Sequence, residues 1–198
     1  DYSGVDPVGL LWSMRPSRGN PAQFFAKRQP TPMVVAVEAV LDGRVLARAE
    51  LTRHFGDRVR AREAGPGIAG RLYSPSEGGP HPGVLVFGGS DGGVLHHAGS
   101  LLAEHGYSVL SLAYFGVEDR PRTLHDIDLE YLLDAIDWLG EQPETASSSR
   151  VGAVGLSRGG ELALQVGAIS DRVGAVVAGA PSHLRHAGLT TNYTDFTQ

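Results

Sequence analysis

Val151-Gly-Ala-Val-Gly-Leu-Ser-Arg-Gly-Gly160 runs straight into the apolar Leu162-Ala-Leu164, and this stretch decides the fold. It opens with the composition of a short buried strand and closes with that of a helix. Between the two stands Gly155-x-Ser157-x-Gly159. In a strand–turn–helix context that spacing presents the serine as a nucleophile. The turn is so sharp that the serine backbone is strained. A side chain two residues before or after it would collide with its neighbours, so glycine occupies both places. Ser157 is then expected to stand exposed at the start of the helix, where the dipole and the N–H of Arg158 favour negative charge on a reacting oxygen. The competing reading is a plain glycine turn with an incidental serine, and the flanking elements favour the nucleophile.

Outward from this turn, strands alternate with helices. The helix after Ser157 is expected to end near Ile169, and Val173 to Ala178 reads as a buried strand. Upstream, Asp126 to Leu139 places Leu129, Leu132, Leu133, Ile136 and Leu139 on one helical face, while Asp128, Asp134 and Asp137 fall mostly on the solvated side. Earlier still come strand-like Gly70–Ser74 and Gly83–Phe87, the glycine-rich loop Gly88–Gly93, a helix around His97–His105 and a strand from Tyr107 to Ala113. The alternation predicts a mostly parallel sheet with helices on both faces, over residues 63–198. Residues 1–62 lack it. There Met33–Val40 and the alternating Val45, Ala47, Ala49 and Leu51 flank Asp42-Gly43, the signature of an antiparallel hairpin. One hairpin plus Gly9-Leu-Leu-Trp-Ser-Met14 is too little for an independent core, so residues 1–62 read as part of a β-sandwich.

Composition excludes several classes. The 198 residues are 41% hydrophobic and 20% charged, and no apolar run approaches the roughly 20 residues needed to span a bilayer. A formal charge of -5 with no basic stripe argues against nucleic-acid binding. Without cysteine there is no disulfide framework, thiolate metal site or cysteine nucleophile. The chain opens at Asp1 with no visible leader, which gives a cytoplasmic expectation, with upstream residues either removed or belonging to a longer protein that this sequence starts inside.

Activating a serine hydroxyl takes a histidine held by a carboxylate, plus backbone donors for the oxyanion. One donor is expected from Arg158 and the other from the glycine loop, at Gly89 or Ser90, which the sequence does not separate. A phosphate-binding loop fits less well, since the spacing matches neither common glycine fingerprint. Asp171, His183, His186 and Asp195 follow Ser157, but Asp171 and the two histidines come too early for the chain order Ser, acid, His. His183 is placed for the active-site rim. His96 and His97 form a pair with no third ligand spaced to join them, so a surface or pocket wall suits them better than a metal. No cofactor is called for.

Five blocks carry a family resemblance: Gly9-Leu-Leu-Trp-Ser-Met-Arg-Pro16, Val86-Phe-Gly-Gly-Ser-Asp-Gly-Gly93, Leu112-Ala-Tyr-Phe-Gly-Val-Glu-Asp119, Ile127-Asp-Leu-Glu-Tyr131 and Gly155-Leu-Ser-Arg-Gly-Gly-Glu-Leu162. In this order they resemble the acyl-CoA thioesterase / bile acid-CoA:amino acid N-acyltransferase family. The resemblance implies an immunoglobulin-like β-sandwich followed by an α/β-hydrolase domain with a Ser/Cys–Asp–His triad. It implies cleavage of acyl-CoA thioesters, or acyl transfer to an amino acid. Ser157 falls on the family's nucleophile position, where the N-acyltransferase branch typically carries cysteine, so serine points toward hydrolysis. The family's acid and histidine lie in a later part, which no residue of this chain matches. That part is expected as further sequence or a second chain, and without it the last strand would leave an apolar sheet edge. The expected function is acyl-CoA thioester hydrolysis through an acyl-serine. Amino-acid N-acyl transfer, hydrolysis of oxygen esters or lactones, and a catalytically silent scaffold are the alternatives.

Overall fold

The computed structural model describes residues 4–6, 9–15, 18–20, 27–117, 119–147, 150–184 and 188. After a helical turn, α1 (Gly9–Ser13), two strands pair antiparallel, β1 (Met33–Leu41) and β2 (Arg44–Arg53). Asp42 and Gly43 both have positive φ, 48° and 77°, as a two-residue hairpin turn requires. Leu41 faces Arg44 across that turn, and the register irregularity falls at Ala39/Val40. Among the described residues this pair is a sheet of its own, with Val34, Val40, Val45 and Leu46 exposed.

The remaining strands form one six-stranded sheet: β3 (Val59–Glu63), β4 (Gly70–Pro75), β5 (Gly83–Phe87), β6 (Ser108–Leu112), β7 (Val151–Leu156) and β8 (Val173–Gly179). Their spatial order is β3-β4-β6-β5-β7-β8, with β6, β5, β7 and β8 parallel and β3 and β4 antiparallel at one edge. This is the mostly parallel sheet expected from the sequence. β3 was not expected: its Val-Arg-Ala-Arg-Glu sequence is mostly charged, and it begins ahead of the 62/63 division.

Two-residue periodicity divides the sheet's side chains between two cores. Leu72, Leu85, Phe87, Leu110 and Leu112 point to one face, where α3 (Leu129–Gly140) and α4 (Arg158–Ile169) cover them with Leu132, Ile136, Leu162 and Val166. Tyr73, Val84, Val86 and Val109 point to the other, under α2 (His96–Glu104). Helices thus cover both faces. α3 starts at Leu129 rather than near Asp126, because Asp128 caps it and its carboxylate accepts the Glu130 N–H at 3.0 Å. Among the described residues β8 is the last strand of the sheet, and Val177 on it is 62% exposed.

Candidate active site

β7 delivers the chain to Ser157 at the carboxyl end of the parallel strands, and α4 begins at the next residue. Ser157 has φ 55° and ψ -120°, a conformation that L side chains rarely adopt and that stores about 1–3 kcal/mol. Its N–H donates to the Gly179 carbonyl on β8 at 2.8 Å, and its carbonyl accepts the Glu161 N–H at 3.1 Å. The backbone is therefore held from both sides while the side chain is exposed and makes no capping hydrogen bond. Both flanking glycines are required sterically. A Cβ at Gly155 would run into the Gly159 carbonyl oxygen and lie 2.6 Å from the Gly160 nitrogen. At Gly159 it would run into the Gly88 carbonyl oxygen and lie 2.6 Å from that of Phe87.

The glycine loop meets this turn because β5 and β7 are neighbours, with Phe87 opposite Gly155. The chain leaving β5 passes Gly88 and Gly89 directly beside the chain leaving β7 through Leu156 and Ser157. A Cβ at Gly89 would lie 3.3 Å from the Leu156 oxygen and 3.5 Å from the Ser157 Cβ. β5 leads to α2 on one face of the sheet and β7 to α4 on the other, and in open α/β sheets ligands bind beyond the carboxyl ends of the strands where such connections part. Gly155, Ser157, Arg158 and Gly159 lie together with Gly89 at this end of the sheet, and Ser90 is next along the chain.

Two features escaped sequence reading. Glu161, only 7% exposed, accepts from Arg158 Nη1 at 2.6 Å and from Gln165 Nε2 at 3.3 Å, which folds the Arg158 side chain along the first turn of α4. Arg158, Glu161 and Gln165 line one side of a cavity of about 420 Å³, with Leu124, Ile127 and Leu129 opposite. Ser157 does not line it; Arg158 connects the two. The available signal was the spacing of Arg158, Glu161 and Gln165, which puts three polar side chains on one face of α4.

The histidines lie elsewhere. His183 is exposed, Asp171 is exposed, and His186 and Asp195 fall outside the described residues. Among the described residues no imidazole hydrogen-bonds the Ser157 hydroxyl, and no group of three or more His, Asp or Glu is arranged to hold a metal ion. His97 lines a second cavity, about 220 Å³, with Phe55, Gly56 and Leu101. His96 Nδ1 sits 2.6 Å from the hydroxyl of Tyr73 and ties the start of α2 to β4. Burial pushes Tyr73 up to about 12 and holds His96 below the ordinary imidazole value, so Tyr73 donates and neutral His96 accepts. Below about pH 6.5 the unfolded chain takes up this proton before the folded one, so acidification removes stability. Thermal melts between about pH 7 and 5 are expected to fall more steeply for the wild type than for His96→Asn; parallel slopes would refute the latch.

Residues 1–63 match the family model for the acyl-CoA thioester hydrolase/BAAT N-terminal region, and residues 127–193 match the model for the BAAT/acyl-CoA thioester hydrolase C terminal, together more than half the chain. Acyl-coenzyme A thioesterase 1 of Rattus norvegicus is 38% identical over 187 residues, 89% of this chain and 43% of that protein. The chain belongs to the acyl-CoA thioester hydrolase/BAAT family. A second member of the family, mitochondrial acyl-coenzyme A thioesterase 2 of Mus musculus, is 36% identical over 207 residues, covering 99% of this chain and 44% of that protein. The chain thus spans less than half the length of these family members. Among solved structures, a provisionally assigned dienelactone hydrolase from Klebsiella pneumoniae aligns with a TM-score of 0.54 at 18% identity, over 65% of this chain and 62% of its own. That likeness, with the strand order above, gives the fold as α/β hydrolase. Among the described residues no helix is long and apolar enough to cross a membrane.

Proposed function

We propose that this protein hydrolyses acyl-CoA thioesters through an acyl-serine intermediate on Ser157. The observation that carries the reading is the Ser157 backbone itself. It is strained, hydrogen-bonded on both sides and exposed at the head of α4, beside the glycine loop, in a chain whose relatives are named acyl-CoA thioesterases. Ser157 Oγ attacks the thioester carbonyl carbon as a base takes its proton. The oxyanion is held by the N–H of Arg158 and one from the Gly89–Ser90 segment. The carbon–sulfur bond breaks, coenzyme A leaves as the thiol with the proton returned, and water then releases the acid from the acyl-serine. The imidazole and its carboxylate belong, in this proposal, to the part of the protein beyond the region matched here, on the same or a second polypeptide.

Serine at position 157 favours hydrolysis over transfer to an amino acid, because an oxygen ester donates its acyl group to an amine far less readily than a thioester does. Acid quench of the full-length protein during turnover, followed by peptide mass spectrometry, is expected to find the acyl group on the peptide holding Ser157. Turnover without that adduct would refute the acyl-serine. Glycine or taurine in the same reaction is expected to yield free acid alone; an N-acyl product would replace hydrolysis by transfer. We also propose two parts, residues 1–62 and 63–198, apart from β3, which straddles that division and pairs within the second part, and a cytoplasmic location, which fractionation against mitochondrial markers tests.

A further inference from the structure

We infer that Tyr114 is a positioning residue for the oxyanion site, and that its hydroxyl fixes the Gly88–Ser90 backbone whose N–H groups serve the carbonyl held on Ser157. This rests on the acyl-serine reading above. Tyr114 lies just past the end of β6, next to β5, and is 2% exposed. Its hydroxyl donates to the Gly88 carbonyl at 2.7 Å, with the Gly89 carbonyl 3.4 Å away. In a trans peptide the C=O of one residue and the N–H of the next point in opposite directions. Holding the Gly88 carbonyl toward Tyr114 therefore turns the Gly89 N–H to the other side of the loop. The Gly89 carbonyl faces the same hydroxyl, so the Ser90 N–H is turned the same way, and Tyr114 holds the peptides of both candidate donors.

The ring is fixed as firmly as its hydroxyl. Phe87 meets it edge-on at 6.3 Å between centroids, and Phe115 lies 5.1 Å away. Phe115 braces the far end of the same loop, since its carbonyl accepts the Gly93 N–H at 3.3 Å and a Cβ at Gly92 would come within 3.0 Å of its ring. Burial raises the Tyr114 phenol, so it stays protonated and remains a donor. A tyrosine needed only to fill the core would serve as well without its hydroxyl; here the hydroxyl reaches the backbone that flanks the nucleophile.

The test is steady-state acyl-CoA turnover by the full-length protein, comparing Ser157→Ala, Tyr114→Phe and, as a control for a lost buried hydroxyl, Thr145→Val. Thr145 bonds Ser108 at 2.9 Å, at the start of β6 and the opposite end of the sheet. Tyr114→Phe is expected to lower kcat about tenfold with KM within twofold, part of the 10²–10³ lost when an oxyanion donor is removed outright. Thr145→Val keeps kcat. A Tyr114→Phe enzyme with the wild-type kcat overturns the assignment while leaving the acyl-serine standing. Full activity of Ser157→Ala overturns the acyl-serine itself. Should Tyr114→Phe not fold, a polyfluorinated tyrosine at 114 keeps the hydroxyl but makes it far more acidic. A new alkaline limb in kcat then supports the role, and an unchanged alkaline profile refutes it.

Discussion

Ser157→Ala in the full-length protein is expected to lower acyl-CoA turnover by about 10⁴-fold or more, the scale seen when a hydrolase loses its nucleophile. Stability should hardly change. The hydroxyl makes no capping bond to α4 and is exposed, so its removal leaves no buried partner unsatisfied. Alanine inherits the backbone at φ 55°, and with it the strain. Ser157→Gly separates strain from chemistry. Glycine adopts positive φ freely, so this variant is expected to be as inactive as the alanine one but more stable, by about 1 kcal/mol. Undiminished thiol release by Ser157→Ala would end the acyl-serine proposal, and a Ser157→Gly protein less stable than the alanine variant would deny the strain.

That strain links sequence to site. Gly155-x-Ser157-x-Gly159 announced a turn too sharp for side chains on either flank, and the turn is there, with the serine in the conformation the motif implies. Other local signals were equally legible: Asp42-Gly43 fixed the hairpin, and the Leu132–Ile136–Leu139 stripe fixed α3. What the chain did not disclose are relations between distant segments. β3 was missed because three of its five residues are charged and only its pairing with β4 makes it a strand. Tyr114 reads as one more aromatic at the end of an apolar strand, since its partner, Gly88, lies 26 residues earlier and is reached only once β5 and β6 lie side by side. Glu161 reads as a surface acid on a helix, until Arg158 and Gln165 close over it.

Gly159→Ala is expected to be severely damaging for a single added methyl. Gly159 lies within α4 and not in the positive-φ region, so alanine suits its backbone and would ordinarily favour a helix. The obstacle is steric and made of main chain. The new Cβ would overlap the Gly88 carbonyl oxygen and press on that of Phe87, at the buried end of a central strand. No rotamer relieves such a contact, so either α4 lifts off the sheet or the glycine loop moves. Forcing a well-packed site apart in this way destabilises by about 3 kcal/mol, which in a chain of this size lowers Tm by roughly 6–12 °C. Turnover should vanish as well, because the atoms displaced, at Gly88, belong to the loop that passes beside Ser157. Gly93→Ala is the informative contrast. Gly93 has φ 69° and open space where a Cβ would go, so alanine there meets strain alone, about 1 kcal/mol, and most activity survives. Thermal denaturation and thiol release on the two variants decide the matter: if Gly159→Ala melts and turns over like Gly93→Ala, the close approach of α4 to the end of β5 is wrong, and with it the juxtaposition of the glycine loop and the nucleophile.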